Sequence, residues 1–278
     1  QGSNFPQKLS LTGCVDGSNP KRVAGGVVGY EPNSQLWSDG AKKERFLALP
    51  DGKKITVKAD GDWDLPVGTV LMKTFFLGEK RVETRLFMRH DDGGWAGYSY
   101  EWNDEQTDAT LLMSAKSKNV GGVEWQYPSG VQCMQCHTQA AGFSLGLETP
   151  QLNRDFVYEK TNRLSNQLKT LEHIGMFEAP LGAAPAALPK YPDPLAETGT
   201  LEERARSYLH SNCSHCHRPP AGRTNIDFRF QTAFANTNTC DVVSQIDHKH
   251  APGRERRRQA EVGPSHGRER EHGRGDRS

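Results

Sequence analysis

No stretch of the sequence approaches the roughly 18 consecutive apolar residues that a bilayer-spanning helix needs. No apolar signal segment follows Gln1, so the chain reads as a mature or clipped form whose start says nothing about targeting. Strong overall charge is missing, since 35 Lys and Arg stand against 34 Asp and Glu. Nucleic-acid motifs and aromatic residues interleaved with basic ones are missing too, and no nucleic-acid partner is expected. Methionine is scarce: the five stand at positions 72, 88, 113, 134 and 176. No obvious catalytic arrangement stands out. Asp91-Asp92 falls in a turn sequence, and Lys42-Lys43-Glu44-Arg45 reads as a mixed surface patch. Bulk, by contrast, is present. The 5 Trp, 7 Tyr and 11 Phe supply a core, and 28 Gly with 16 Pro fall short of low complexity. At 278 residues the chain is long for one domain and suits two.

The near-neutral average hides an asymmetry. Residues 248–278 carry a net charge of +4 and offer only Ala251, Ala260 and Val262 as apolar members. They cannot cover a face of any helix or strand, and are expected to be a disordered basic tail. Such a tail suits an anionic surface or partner. The competing expectation is that the reading from about Ile246 onward is frameshifted or misjoined.

Before the tail, strand patterns come first and helix patterns second. The opening to about Pro50 is irregular. Residues 54–58 alternate, 69–77 are β-branched and aromatic, and 81–89 alternate again, with Gly78-Glu79 placed for a tight hairpin. Ala96, Tyr98, Tyr100 and Trp102 share one face, and 108–113 and 123–127 add two candidate strands. The predicted fold class is α+β: an antiparallel sheet of five or six strands over 1–130, then a helical region. Within the latter, Leu164, Leu168 and Leu171 have helical spacing, closed by Gly175. Residues 178–198 read as a Pro- and Ala-rich linker. Thr200 to Glu203 is a capping box opening a helix whose apolar stripe is Leu201, Ala205, Tyr208 and Leu209. The predicted organisation is 1–130, 131–195 with the linker, 196–247, and the tail 248–278.

Four of the six cysteines fall in two copies of one pattern, Cys133-Met134-Gln135-Cys136-His137 and Cys213-Ser214-His215-Cys216-His217. Cys-x-x-Cys-His is the attachment signature of c-type haem. Two thiols add to two vinyl groups on one edge of the porphyrin, and the adjacent His ligates iron. The predicted cofactors are therefore two covalent haems c with their iron, held by Cys133, Cys136, His137, Cys213, Cys216 and His217. A structural zinc site on the four thiols is the alternative, but the 76 residues between the pairs far exceed the usual spacing of about 15–20. A thioredoxin-like pair lacks its βαβ surroundings and leaves two copies unexplained. Haem attachment of this kind is extracytoplasmic, which predicts a periplasmic or equivalent oxidising location. Cys14 and Cys240 could bridge there, with two free buried thiols as the other reading.

Leu9-Ser10-x-Thr12-Gly13-Cys14, Leu36 to Ala41, Tyr100 to Ala109 and Gln132 to His137 resemble a family of bacterial secreted haem-binding proteins of poorly defined biochemistry. The likeness runs from about Leu9 to Asp241. Within it, Leu65 to Lys73 followed by strands is similar to cytochrome P460-type β-sheet haem domains, and Leu201 to Pro219 to the start of a small cytochrome c domain. The likeness to cytochrome c implies a second axial Met well after the motif, yet no Met follows His217. His248 and His250 are the nearest downstream candidates for that site. For the first haem, Met176 is a candidate sixth ligand, with a hydrophobic contact sealing a helix end as its other reading; His90, His173 and an open sixth position are further options.

The expected function is haem binding and electron transfer between redox partner proteins. A dihaem enzyme with one open iron, peroxidase- or P460-like, is the first alternative, and a zinc-stabilised secreted binding module the second.

Overall fold

Alternating and β-branched or aromatic runs between residues 28 and 111 build most of a six-stranded antiparallel meander in the computed structural model, which describes residues 5–240. Its strands are β1 (Val28–Tyr30), β2 (Lys42–Ala48), β3 (Val70–Leu77), β4 (Lys80–Arg89), β5 (Trp95–Trp102) and β6 (Ala109–Leu111). Each pairs with its neighbour in this list. Gly78, at a φ of +58°, supplies the left-handed turn between β3 and β4. The fold is α+β, with a β-rich N-terminal region, and the residues up to Cys240 form one compact unit.

The charged tetrad expected at the surface lies within β2. This strand sits between β1 and β3, and Arg45 is buried. Four charges in seven residues conceal the alternation that marks a half-buried strand, because the inward positions of β2 serve a polar purpose described below.

Successive strand residues point to opposite faces, so the meander has two distinct sides. On one side Met72, Leu86, Tyr100 and Trp102 pack with Leu9 and Val15 of the N-terminal segment. Tyr100 is fully buried and donates its hydroxyl to Pro6 O at 2.8 Å. On the other side Leu47, Leu71 and Phe87 join a larger core with Leu152, Leu168 and Leu171. A short hairpin, 116–127, adds a third cluster around Phe75, Trp125 and Tyr127. Glu83 is buried beneath it and accepts from Arg85 at 2.8 Å and from Trp125 Nε1 at 3.0 Å.

The helices are short: α1 (Gly130–Cys136), α2 (Thr149–Leu152), α3 (Gln167–His173) and α4 (Leu201–Cys213). Leu164 is not part of α3. It lies on an exposed strand, Arg163–Asn166, and the helix starts one residue later because Asn166 caps it, accepting from the backbone of Leu168 and Lys169. Gly175, at a φ of +74°, follows this helix as expected. The Thr200–Glu203 capping box opens α4 with both reciprocal bonds formed. The predicted apolar stripe of α4 is not its inner face, however. Leu201 and Tyr208 are exposed, and the helix buries Ser207 and His210 instead. It docks through hydrogen bonds: Ser34 Oγ donates to Ser207 O at 2.9 Å, and Gln151 Nε2 to Ser211 Oγ at 2.7 Å.

Cys14 and Cys240 do not bridge; both thiols are free, Cys14 half-buried and Cys240 exposed. The basic tail, with His248 and His250, lies outside the described residues. No described helix is long and apolar enough to cross a membrane.

Candidate functional site

The first Cys-x-x-Cys-His run is helix α1 itself, with His137 as its C-cap. Ser129 and Gln132 form a capping box at its start. The helix lies unusually close to strand β5, and two glycines allow this. A Cβ on Gly97 would stand 2.6 Å from Cys133 Sγ, and one on Gly130 would stand 2.8 Å from Gly97 O. No other residue at these two places leaves room for the motif.

His137 is oriented by its own loop. Its Nδ1 donates to Phe143 O at 2.6 Å, which leaves Nε2 as the nitrogen with a free lone pair. Phe143 holds a left-handed φ of +64°, a conformation that costs a non-glycine residue free energy, and it does so while presenting this carbonyl. Burial pushes the His137 pKa down to about 4, opposed by the Phe143 hydrogen bond and assisted by Lys73 and Arg85. The imidazole is therefore neutral at pH 7 and competent to ligate a metal.

His217 repeats the arrangement. Its Nδ1 lies 2.8 Å from Thr224 Oγ1, and the Thr224 hydroxyl donates onward to Ile226 O at 3.4 Å, so the same oxygen can accept from the ring. Phe228 packs on the His217 ring at 4.9 Å between centroids, as Phe87 does on His137 at 4.1 Å. Burial raises the thiol pKa at Cys133, Cys136 and Cys213, favouring the protonated form.

The chain brings the two motifs together. Thr138 Oγ1 donates to His215 O at 3.2 Å, Arg218 Nη1 to Ala140 O at 3.2 Å and Arg223 Nη2 to Gln135 O at 3.3 Å. Cys216 Sγ is 3.9 Å from Gln135 O. Nevertheless the six motif donors do not converge: among the described residues no three His, Cys, Asp or Glu side chains form a group that could hold a single metal ion.

A cavity of about 450 Å³ opens beside the first motif. Cys133, Cys136 and His137 border it, with Leu71, Phe87 and Leu147 as apolar wall. Four cations, Arg45, Lys73, Arg85 and Arg218, line it as well, with the carboxylates of Asp62 and Glu148 and, from the second motif, His215. An apolar wall next to two thiols, a neutral His and several cations suits a flat apolar macrocycle carrying carboxylates. Met176 is in the core with Leu168 and Leu171 and is not among the residues lining this cavity. His90 is held by Tyr98 OH at 3.0 Å, and His173 is exposed at the end of α3; neither lines the cavity.

Sequence reasoning missed Glu148 and His210 on the cavity wall. Phe230 N–H donates to His210 Nδ1 at 3.0 Å, so His210 Nε2 carries the proton and donates to Glu148 Oε1 at 2.8 Å. Tyr191 OH donates to the other carboxylate oxygen at 3.1 Å. All three side chains are buried. With both ring nitrogens engaged, His210 fastens α4 to the rest of the fold. His210 lies on the side of α4 away from the apolar stripe of Leu201, Ala205, Tyr208 and Leu209, so hydrophobic periodicity gave no hint of it. Glu148→Ala strands two buried donors, and a loss of about 2–4 kcal/mol of stability is expected in denaturant unfolding, with Glu148→Gln losing less.

No family model, curated protein or solved structure matches this chain.

Proposed function

We propose that this protein is a dihaem c-type electron carrier of a periplasm or an equivalent oxidising compartment. One observation carries the reading: two Cys-x-x-Cys-His runs, each ending in a His whose Nδ1 has a hydrogen-bond partner while its Nε2 is left to a ligand. Cys133 and Cys136 would hold one haem and Cys213 and Cys216 the other, with His137 and His217 as iron ligands. Haem supplies one-electron chemistry when bound. The chain's own residues orient the two imidazoles, keep His137 unprotonated and surround the first site with apolar side chains. Contact between the motifs supports electron passage from one site to the other, and redox proteins are the partners this implies. The likeness to bacterial secreted haem-binding proteins points the same way. A zinc module fits less well, because 76 residues separate the two Cys pairs. Met176 has a packing role in this reading.

The cavity beside His137 favours a second reading, a dihaem enzyme whose first site admits a small molecule. One experiment serves both. Protein matured with haem-attachment machinery is expected to retain two haems per chain after acid–acetone extraction, counted as the pyridine haemochrome. Stoichiometric zinc with no covalent haem would overturn the proposal. Prompt binding of carbon monoxide by the ferrous protein would select the enzyme reading over the carrier.

A further inference from the structure

The register of the sheet sets three cations side by side. Arg45 on β2 pairs with Lys73 on β3, and Lys73 pairs with Arg85 on β4. Like charges directly opposite one another in a sheet are destabilising. They persist here on the face that lines the cavity. Among the described residues only Arg85 has an acid partner, Glu83, at 2.8 Å.

The other two lack one. Arg45 is 6% exposed, bonds through Nη2 to Gln35 Oε1 at 3.2 Å, and leaves Nη1 buried with no partner. No ion pair reaches Lys73 among the described residues; its Nζ lies 4.9 Å from the centroid of the Phe75 ring. Burial, with Arg45, Arg85 and Lys43 close by, holds the Lys73 ammonium well below its ordinary pKa. Buried donors of this kind are normally satisfied, and a row of three cations with one counter-charge, Glu83, invites an anion.

The apolar row next to it runs Leu47, Leu71, Phe87 and Gly97, and Gly97 is where Cys133 rests. The cation row starts one step along the strands from Gly97 and crosses β4, β3 and β2, leading away from Cys133, and haem carries its propionates on the edge opposite its thioether carbons. We infer that Arg45, Lys73 and Arg85 form an anion site for carboxylates, filled by the propionates of the haem tethered at Cys133 and Cys136. The inference rests on the haem reading above. The same chemistry would accept a free small dianion if the tethered carboxylates lie elsewhere.

The test uses haem-loaded protein and two variants, Lys73→Met and Arg45→Gln, the first of which removes an unpaired cation and is expected to fold. Removing a cation beside the propionates stabilises the ferric state. The midpoint of the first haem should therefore fall while that of the second stays put, and the propionate bending band in the resonance Raman spectrum should shift. In parallel, succinate and inorganic phosphate are titrated into the loaded protein and into Cys133→Ala/Cys136→Ala protein. For tethered propionates, only the latter should bind them, at least tenfold more weakly once Lys73→Met is added. Binding to loaded protein, lost in Lys73→Met with midpoints unchanged, would reassign the row to a free anion. If haem attaches but neither midpoint, Raman band nor anion binding responds, the anion site is wrong and the haem reading survives. If no haem attaches, that reading fails, and the anion titrations alone decide the row: a tenfold loss in Lys73→Met keeps it and no binding rejects it.

Discussion

Replacing Cys133 and Cys136 with Ala is expected to remove one covalent haem per chain and leave the other, and replacing Cys213 and Cys216 should do the converse. The two losses should not look alike. Cys133 and Cys136 border the cavity, so the first variant would remove the haem proposed to fill it and leave the apolar wall of Leu71, Phe87 and Leu147 to water. The thiols of the second motif do not border that cavity. The first pair of substitutions should therefore lower the melting temperature more than the second. Mass spectrometry of the intact chain would count the haems, and scanning calorimetry would rank the losses. An equal effect of both pairs on stability would remove the cavity from the account.

Gly97→Ala is the second large effect, and it involves neither a thiol nor a ligand. The added Cβ would meet Cys133 Sγ at 2.6 Å and Cys133 Cβ at 2.7 Å, both far inside contact distance. Strand β5 is held by β4 on one side and β6 on the other, so helix α1 is the element that must give. The expected cost is about 1–3 kcal/mol of stability from overpacking. Displacement of the helix should also reduce haem occupancy at the first motif while the second is loaded normally. Gly25→Ala is the control, since its Cβ would meet nothing within 4 Å and its φ is ordinary. A haem stoichiometry in Gly97→Ala equal to that of Gly25→Ala would show that α1 has room to move.

Local pattern was enough for much of the sheet. Residues 70–77 are a β-branched and aromatic run, 81–89 alternate, and two turn residues separate the strands, so their pairing is a consequence of neighbours in the chain. The capping box of α4 was legible for the same reason, because its bonds join residues three apart. Strand β2 was not. Its inward-facing Arg45 looks like surface until the cavity it lines is known. The inner face of α4 was misread for a related reason: Ser207 and His210 are buried because distant groups, Pro192 O, Ser34 and Glu148, supply partners for them. Polar burial depends on such partners, and spacing within a helix cannot announce them.

The sequence by itself determined the attachment chemistry of the reading, because a Cys-x-x-Cys-His run is contained within five residues and carries its meaning in their order. It also determined the strand-then-helix sequence of elements. Only the tertiary structure decided that two motifs separated by 75 residues touch, and that Met176 packs in the core while Lys73 lines a cavity. It alone set Arg45, Lys73 and Arg85 in one row. Each of these depends on contacts between residues far apart in the chain, which are fixed by sheet register and by the closing of the core.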